Sequence, residues 1–181
     1  MENATILIGN SHLELWGITK ETLFADAMQN TCRILPPRLL SIEEMMKEIF
    51  TQDLEFLSTR KKEEDKGWLE ETAGEGLDSF VEDGFCSSMY VLGNQKKLFG
   101  AAVILYEGVL EKIMDALGRG YFLLPSSIHE VILLPDNGRQ DAEELWKMVS
   151  EINATQVARE DVLTDSVYYF SCKSKKLEKI F

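Results

Sequence analysis

Residues 121–136 read YFLLPSSIHEVILLPD, and this stretch predicts the centre of a β-sheet. Two apolar runs, 121–124 and 128–134, are separated by the tripeptide Pro-Ser-Ser at 125–127. Short apolar runs bounded by turn-forming residues are typical of buried strands. We therefore expect two neighbouring strands, joined by a polar loop at one end of the sheet.

Amphipathic helices are predicted on both sides of these strands along the chain. Apolar residues recur at helical spacing in 109–117 and in 142–152, and Gly118 is well placed as a left-handed helix stop. Nearer the start, a helix over 20–30 follows the favourable N-cap Thr19.

A further helix is predicted after Ser41. Ser41 and Glu44 have the spacing of a capping box, in which each side chain accepts a hydrogen bond from a backbone amide of the other residue. Apolar residues at 42, 45, 46, 49 and 50 then share one face. We expect this helix to continue towards Leu57.

Further strands are predicted from short apolar runs next to turn residues. Segments 88–92 and 98–105 are expected to form a hairpin about a Gly-Asn turn at 93–97. Other short strands are expected at 4–8, 13–16, 33–35 and 167–170. The predicted fold class is α+β, with a hairpin-built, largely antiparallel sheet and amphipathic helices packed on one face.

The segment YVLGNQKKLFGA at 90–101 has an echo in ILIGNSHLELWGI at 6–18. Both contain Gly-Asn, a pair that accepts the positive backbone angles of tight turns. We therefore expect two hairpins, each leading into a helix. A duplicated ββα unit is one explanation, and convergent turn chemistry is the explanation we favour.

The chain of 181 residues is expected to form a single α+β domain in two halves. A ββα-α half at 1–59 and a ββαββα-β half at 85–181 are separated by an acidic stretch at about 60–84. Residues 60–83 hold 4 basic and 9 acidic side chains, so we expect a solvated, flexible or irregular connection. A charged helix around 60–72 is the alternative.

The net charge of −12 argues against two classes of partner. Nucleic-acid affinity comes mainly from Lys and Arg next to phosphates, and anionic lipid surfaces attract the same residues. We therefore expect neither nucleic acid nor a membrane as a partner. No apolar run approaches the length of a membrane span.

The cysteines and the first residues indicate a cytoplasmic location. Cys32, Cys86 and Cys172 are widely spaced and form no CxxC motif, as expected in a reducing compartment. The start, MENATILIGN, has no basic region followed by an apolar one, so it does not resemble a secretory signal.

Three blocks carry a family resemblance: NATILIGNSHLELWG at 3–17, LPSSIHEVILLPD at 124–136 and NATQVAREDVLTDSVY at 153–168. In this order they resemble an uncharacterised bacterial family of unknown function, found mostly in clostridial-type Gram-positive bacteria. The resemblance implies no activity, catalytic residue or cofactor. It also implies that similar proteins continue upstream of the first block, so that this chain is a truncated piece or a short member.

The polar loop within 121–136, together with the start of the strand after it, holds the candidate site residues Ser126, Ser127, His129 and Glu130. Acyl transfer needs a serine hydroxyl next to an imidazole that a carboxylate orients. On a strand, Ser127 and His129 would share a face and Glu130 would point away, so a distant acid would be needed. No GxSxG motif surrounds the serines. We favour a ligand-recognition loop.

No metal or cofactor is expected. His12 and His129 are the only histidines, no HExxH motif is present, and the glycine-containing turns lack a phosphate-loop pattern. The favoured function is a non-enzymatic interaction or ligand-binding module, whose partner is a protein or a small ligand. The alternative is a hydrolase or transferase that uses Ser127 and His129 with a distant acid.

Self-association as a homodimer is also predicted. The expected strand at 4–8 would present unpaired backbone groups at a sheet edge, and such edges pair with other chains. The apolar helix face around 45–50 is the second predicted contact. The high net charge favours one specific symmetric contact over indiscriminate association.

Overall fold

The computed structural model describes residues 6–60, 89–125 and 127–181, and for 52–60 it describes the backbone alone. The chain divides into two compact units, Met1–Pro36 and Pro37–Phe181. The predictions for the acidic stretch at 60–84 concern residues outside the described part of the chain. Arg60 is the exception and is the last described residue of a helix.

In the first unit, helix α1 spans Asn10–Trp16 and helix α2 spans Lys20–Ile34. The second unit contains all the strands that the structure describes. Its elements are, in chain order, β1 Pro37–Ser41, α3 Ile42–Arg60, β2 Tyr90–Asn94, a 3₁₀ helix Gly100–Leu105, α4 Val109–Leu117, β3 Tyr121–Leu124, β4 Val131–Pro135, α5 Ala142–Thr155, β5 Tyr168–Phe170 and β6 Leu177–Lys179.

The strands form one sheet in the order β1-β2-β4-β3-β5-β6, and every neighbouring pair is antiparallel. Strands β3 and β4 lie in the middle, with Leu123 opposite Leu133. Because β1 pairs with β2, chain segments on both sides of the acidic stretch contribute to one sheet. Strands β1 and β6 are its edges.

Helices cover both sides of the central strands. On one side, Leu145 and Val149 of α5 pack in a buried cluster with Phe122. On the other side, the Tyr121 hydroxyl donates a hydrogen bond to the Leu110 carbonyl of α4 at 3.1 Å. The predicted α+β class and antiparallel sheet are confirmed, but the helices are distributed over both faces instead of the predicted one.

Burial on both faces of the sheet explains why strands β3 and β4 are so apolar. Leu123, Leu124, Val131 and Leu133 are completely buried. Burying one such side chain stabilises a fold by about 1.5–3 kcal/mol. The two strands therefore hold the described residues between them, 125 and 127–130, at a fixed end of the sheet.

The predicted helix caps are confirmed. Thr19 caps α2, its Oγ1 accepting a hydrogen bond from Thr22 N at 3.2 Å. The capping box of α3 is formed, because the Glu44 carboxylate accepts from Ser41 N at 2.8 Å and Ser41 Oγ accepts from Glu44 N at 3.2 Å. Gly118 ends α4 in the left-handed region, with φ 67°.

The strands expected at 4–8 and 13–16 are wrong for the described residues. Residues 6–9 have no regular structure, and Asn10–Trp16 is helical. Gly9 N donates a hydrogen bond to His12 Nδ1 at 2.9 Å, which caps the helix, and Gly17 ends it at φ 66°. Gly-Asn thus begins a helix here instead of turning a hairpin.

The hairpin expected at 88–105 is also wrong. Strand β2 pairs with β1 and β4, and residues 100–105 form a 3₁₀ helix instead of a returning strand. The reason is the Asn94 side chain, which binds the backbone of the loop that follows and turns it away. The two Gly-Asn stretches therefore do not share a structure.

Other predicted strands also differ from the structure. Residues 33–35 are not a strand, because α2 continues to Ile34 and β1 begins only at Pro37. Proline is tolerated at the first residue of an edge strand, where its missing N–H is not needed. Strand β4 begins at Val131 instead of 128, and the basic C-terminal segment forms β6.

The first unit exposes its apolar side chains. Neither α1 nor α2 contains a buried residue. Leu15, Phe24 and Ile34 are 81%, 61% and 69% exposed. Among the described residues, those that form the buried core all belong to the second unit. No helix within the described part of the chain combines the length and apolar character that crossing a membrane requires.

Candidate functional site

A pocket opens at the end of the sheet where β1, β2, α3 and the β3–β4 loop meet. About 440 Å³ of empty space lies within it and in its mouth, which is open to solvent. Apolar side chains of these elements form part of its lining, and charged side chains of both signs form the rest. The lining includes Arg38, Met45, Glu48, Lys97, His129 and Glu130.

The loop that follows β2 is built around a buried amide. Asn94 is 3% exposed; its Nδ2 donates to Leu98 O at 2.7 Å, and its Oδ1 accepts from Lys96 N at 3.0 Å. Lys97 and Phe99 have positive φ angles of 55° and 50°. Such angles are uncommon in residues other than glycine, and surrounding contacts must hold them. The loop is therefore preorganised beside the pocket.

The β3–β4 loop is fastened to two neighbouring segments. Ile128 N donates to Asp161 O at 2.9 Å, and Ile128 O accepts from Ala101 N at 3.2 Å. The His129 carbonyl passes against Gly100, where a Cβ atom would overlap it and would lie 2.9 Å from Asn94 N. Only a residue without a side chain fits this crossing. The walls of the pocket are thus held by close backbone packing.

An ion-pair network forms the cationic side of the pocket. The Glu48 carboxylate accepts a hydrogen bond from the Arg38 guanidinium and lies 3.6 Å from Lys97 Nζ. The hydrogen bond from Arg38 is the main cause that lowers the pKa of Glu48 below its ordinary value. Glu48 therefore remains ionised near neutral pH and holds both cations.

The imidazole of His129 uses both of its nitrogens. Nδ1 accepts a hydrogen bond from Phe99 N at 3.3 Å, and Nε2 lies 3.4 Å from Asp161 Oδ1. A backbone N–H needs an acceptor, so this arrangement places the proton of a neutral ring on Nε2, directed towards the carboxylate. The ring also stacks on Phe99, with centroids 5.6 Å apart.

The structure separates the predicted site residues. His129 and Glu130 line the pocket, whereas Ser127 Oγ accepts a hydrogen bond from the backbone N of His129 at 3.0 Å. Ser127 forms an isolated bridge with Val162, so the strand-face argument for Ser127 and His129 does not apply. Ser126 lies outside the described residues. Asp161 is a distant acid next to His129.

Sequence reasoning missed Arg38, Glu48 and Lys97. A strand beginning at Pro37 would have placed Arg38 on the same face as Leu40, because side chains alternate along a strand. Glu48 lies on the helix that directly follows this strand, but the approach of Lys97 depends on the antiparallel pairing of β1 with β2. No local motif in the sequence indicates that pairing.

No cluster of three or more His, Cys, Asp or Glu side chains suited to a metal ion occurs in the described ranges 6–60, 89–125 and 127–181. Arg38, Glu48 and Lys97 are engaged with one another, and the His129 imidazole is engaged with Phe99 N and with Asp161. The chemistry that this arrangement can perform is recognition of a polar ligand by fixed charges and hydrogen bonds.

The fold and the pocket define an α+β protein with a cavity at one end of its sheet that apolar and charged side chains line. The sequence profile of a family of unknown function, DUF5688, matches residues 1–172, and the chain belongs to that family. No curated protein and no solved structure matches the chain.

Proposed function

We propose that this protein is a non-enzymatic module that binds a small ligand in the pocket lined by Arg38, Glu48, Lys97, His129 and Glu130. The observation that carries the proposal is the convergence of these side chains from separate elements on one cavity. Concave sites with an apolar surface and a few well-placed polar groups are typical of small-molecule recognition.

The rigidity of the walls supports binding. Positive φ angles at Lys97 and Phe99 and the crossing at Gly100 restrict the pocket before any ligand arrives. A site that is ordered in advance loses less conformational entropy on binding. Backbone strain close to a cavity is also a common feature of functional sites.

A hydrolase or transferase that uses Ser127 and His129 is less well supported. A general base must have a free nitrogen within reach of the serine hydroxyl. Here Nδ1 of His129 accepts from Phe99 N, and Ser127 Oγ accepts from the backbone N of His129. Asp161 orients the imidazole through Nε2. The partner of the other ring nitrogen, Nδ1, is Phe99 N and not Ser127.

We also propose a cytoplasmic location, without nucleic acid or membrane as a partner. Cys32 and Cys172 are free thiols, as a reducing compartment allows. The net charge of −12 opposes phosphate-rich partners. Cell fractionation with an antibody to the native protein tests the location, and a membrane or extracellular fraction would contradict it.

Binding is tested by screening a library of small polar fragments against the ¹⁵N-labelled protein. We expect the amide signals of Gly93, Lys97 and Glu130 to shift. A second, more open depression, which Leu39 and Ile113 line on the opposite face of β1 and β2, serves as an internal control. Shifts confined to that depression, or no shift in the first pocket, would refute the proposed site.

The enzymatic alternative has a separate test. A serine-reactive fluorophosphonate is incubated with the wild-type protein and with His129→Ala. We expect no stoichiometric labelling of Ser127 in either protein. Labelling of Ser127 that disappears in His129→Ala would show that the hydrolase is the correct function.

A further inference from the structure

We propose that the ligand of this pocket is a small zwitterion with an apolar side chain, of the α-amino acid class. This inference rests on the proposed function and names the ligand chemistry that the pocket fits. The supporting features are two cations that share one carboxylate, a second carboxylate without an ion-pair partner, and an apolar surface between the segments that carry them.

The cationic side of the pocket has one positive charge in excess. Arg38 and Lys97 are both held by the single carboxylate of Glu48. Arg38 bonds Glu48 through Nη2, and a guanidinium carries five N–H donors in a planar fork. Lys97 Nζ lies 3.6 Å from Glu48, and its side chain is 56% exposed. Both cations therefore retain donors for the carboxylate of a ligand.

The anionic side is Glu130. Within the described part of the chain, its carboxylate forms neither an ion pair nor a hydrogen bond. It borders the same cavity as Arg38 and Lys97. An ammonium group would give this carboxylate a charged partner, which a neutral or purely anionic ligand does not offer.

Aliphatic side chains supply the remaining surface. Leu40, Met45 and Val91 line the cavity beside the charged groups. Methionine adapts to apolar groups of different shapes. A ligand whose body is apolar and whose ends carry opposite charges therefore matches the three kinds of surface at once, and L-leucine is the simplest such probe.

Isothermal titration calorimetry with three compounds tests the inference. L-leucine carries both charges, N-acetyl-L-leucine lacks the ammonium group, and L-leucinamide lacks the carboxylate. We expect L-leucine to bind at least about tenfold more tightly than either of the others, since each lacks one charged contact. Equal affinity of all three compounds, or no heat from L-leucine at about 10 mM, would overturn the inference.

Two variants locate the charged contacts. Glu130→Gln should weaken the binding of L-leucine about tenfold and leave the binding of N-acetyl-L-leucine unchanged. Glu107 is exposed, and Glu107→Gln is the matched control. Lys97→Met should weaken L-leucine and N-acetyl-L-leucine alike, with the neighbouring, exposed Lys96→Met as control. Circular dichroism of each variant verifies folding. Unchanged affinity for L-leucine in folded Glu130→Gln would refute the role of Glu130.

The two proposals fail in different ways. If uncharged or purely anionic fragments shift the amides of the pocket while L-leucine does not, the ligand class is wrong and the binding module stands. If no fragment reaches the pocket, the proposed function fails, and the ligand class fails with it.

Discussion

The backbone carbonyl of His129 crosses directly over Gly100, and a Cβ atom at position 100 would overlap it. The same Cβ atom would lie 2.9 Å from Asn94 N and 3.0 Å from Gly93 Cα. This crossing joins the β3–β4 loop to the segment that follows β2. It sets how far apart Lys97 and His129 lie on the rim of the pocket.

Gly100→Ala should destabilise the protein by about 2–4 kcal/mol, because backbone atoms and not flexible side chains occupy the space. Gly93→Ala is the matched control, since its Cβ atom would lie 3.5 Å from the same carbonyl, an ordinary contact. Urea denaturation measures both variants. A change of less than about 1 kcal/mol in Gly100→Ala would mean that the crossing is looser than described.

Asn94→Ala should cost about 2–3 kcal/mol, because it leaves the Leu98 carbonyl and two backbone amides of the loop without their partner. Asn137→Ala removes one exposed contact to Arg139 N and should cost less than about 1 kcal/mol. Thermal unfolding distinguishes them. Equal losses in the two variants would show that burial of Asn94 adds nothing.

Glu48→Gln should lower the stability at pH 7, and the difference from the wild type should disappear in acid. The pKa of Glu48 is lowered in the folded state, so its contribution is complete above its ordinary value of 4.5 and is lost as the pH falls through the lower, folded value. Melting temperatures between pH 7 and pH 2–3 test this, with Glu107→Gln as control. A constant difference across that range would contradict the ion pair.

Tyr169→Phe should cost about 1 kcal/mol at neutral pH through the loss of the hydroxyl's hydrogen bond to Asp136 Oδ2, 2.9 Å long. Burial, reinforced by this bond, raises the pKa of Tyr169 from 10 to about 12. The stabilisation is therefore present below pH 10 and is lost as the pH rises through about 12.

Alkaline absorbance at 295 nm, compared between wild type and Tyr169→Phe, follows this titration. Tyr168→Phe is the control, because the Tyr168 hydroxyl makes no hydrogen bond with a described residue. The titration that is present in the wild type and missing in Tyr169→Phe belongs to Tyr169. If it occurs near pH 10, the partly buried contact to Asp136 is absent.

Self-association stays a prediction, and the structure changes where its contact is expected. Residues 6–8 are not a strand, whereas β1 and β6 are the edges of the sheet. The face of α3 around 45–50 is the other expected contact. Light scattering at about 150 mM salt should show a dimer, whose contact Ile49→Lys on that face should weaken. A wild-type monomer at high micromolar concentration would refute the homodimer.

Much of the fold could be predicted because its signals are local. The apolar runs around Leu123 and Leu133 identify strands without knowledge of their partners, and Thr19 and Gly118 mark helix ends through their own backbone preferences. The antiparallel pairing of these two strands could be predicted too, because the short connection between them makes them neighbours in the sheet.

The errors occur where local preference allows two structures. Gly-Asn permits a tight turn both in 6–18 and in 90–101. In the first segment His12 caps a helix, and in the second the buried Asn94 side chain binds the backbone of the loop that follows it. The His12 cap is a local, exposed contact that competes with the turn, whereas the Asn94 contacts depend on burial, which no short window of sequence records.

The sequence by itself determined the α+β class, the two central strands and the helix caps, because hydrophobic periodicity and capping act within a few residues. It also singled out His129 and Glu130. Only the tertiary structure decided what they face: pairing of β1 with β2 brings Arg38 and Glu48 to Lys97, and the loop at Asp161 engages the imidazole. The physical reason is that strand pairing and side-chain burial join residues far apart in the chain, and those contacts fix the partners of Arg38, Glu48, Lys97 and His129.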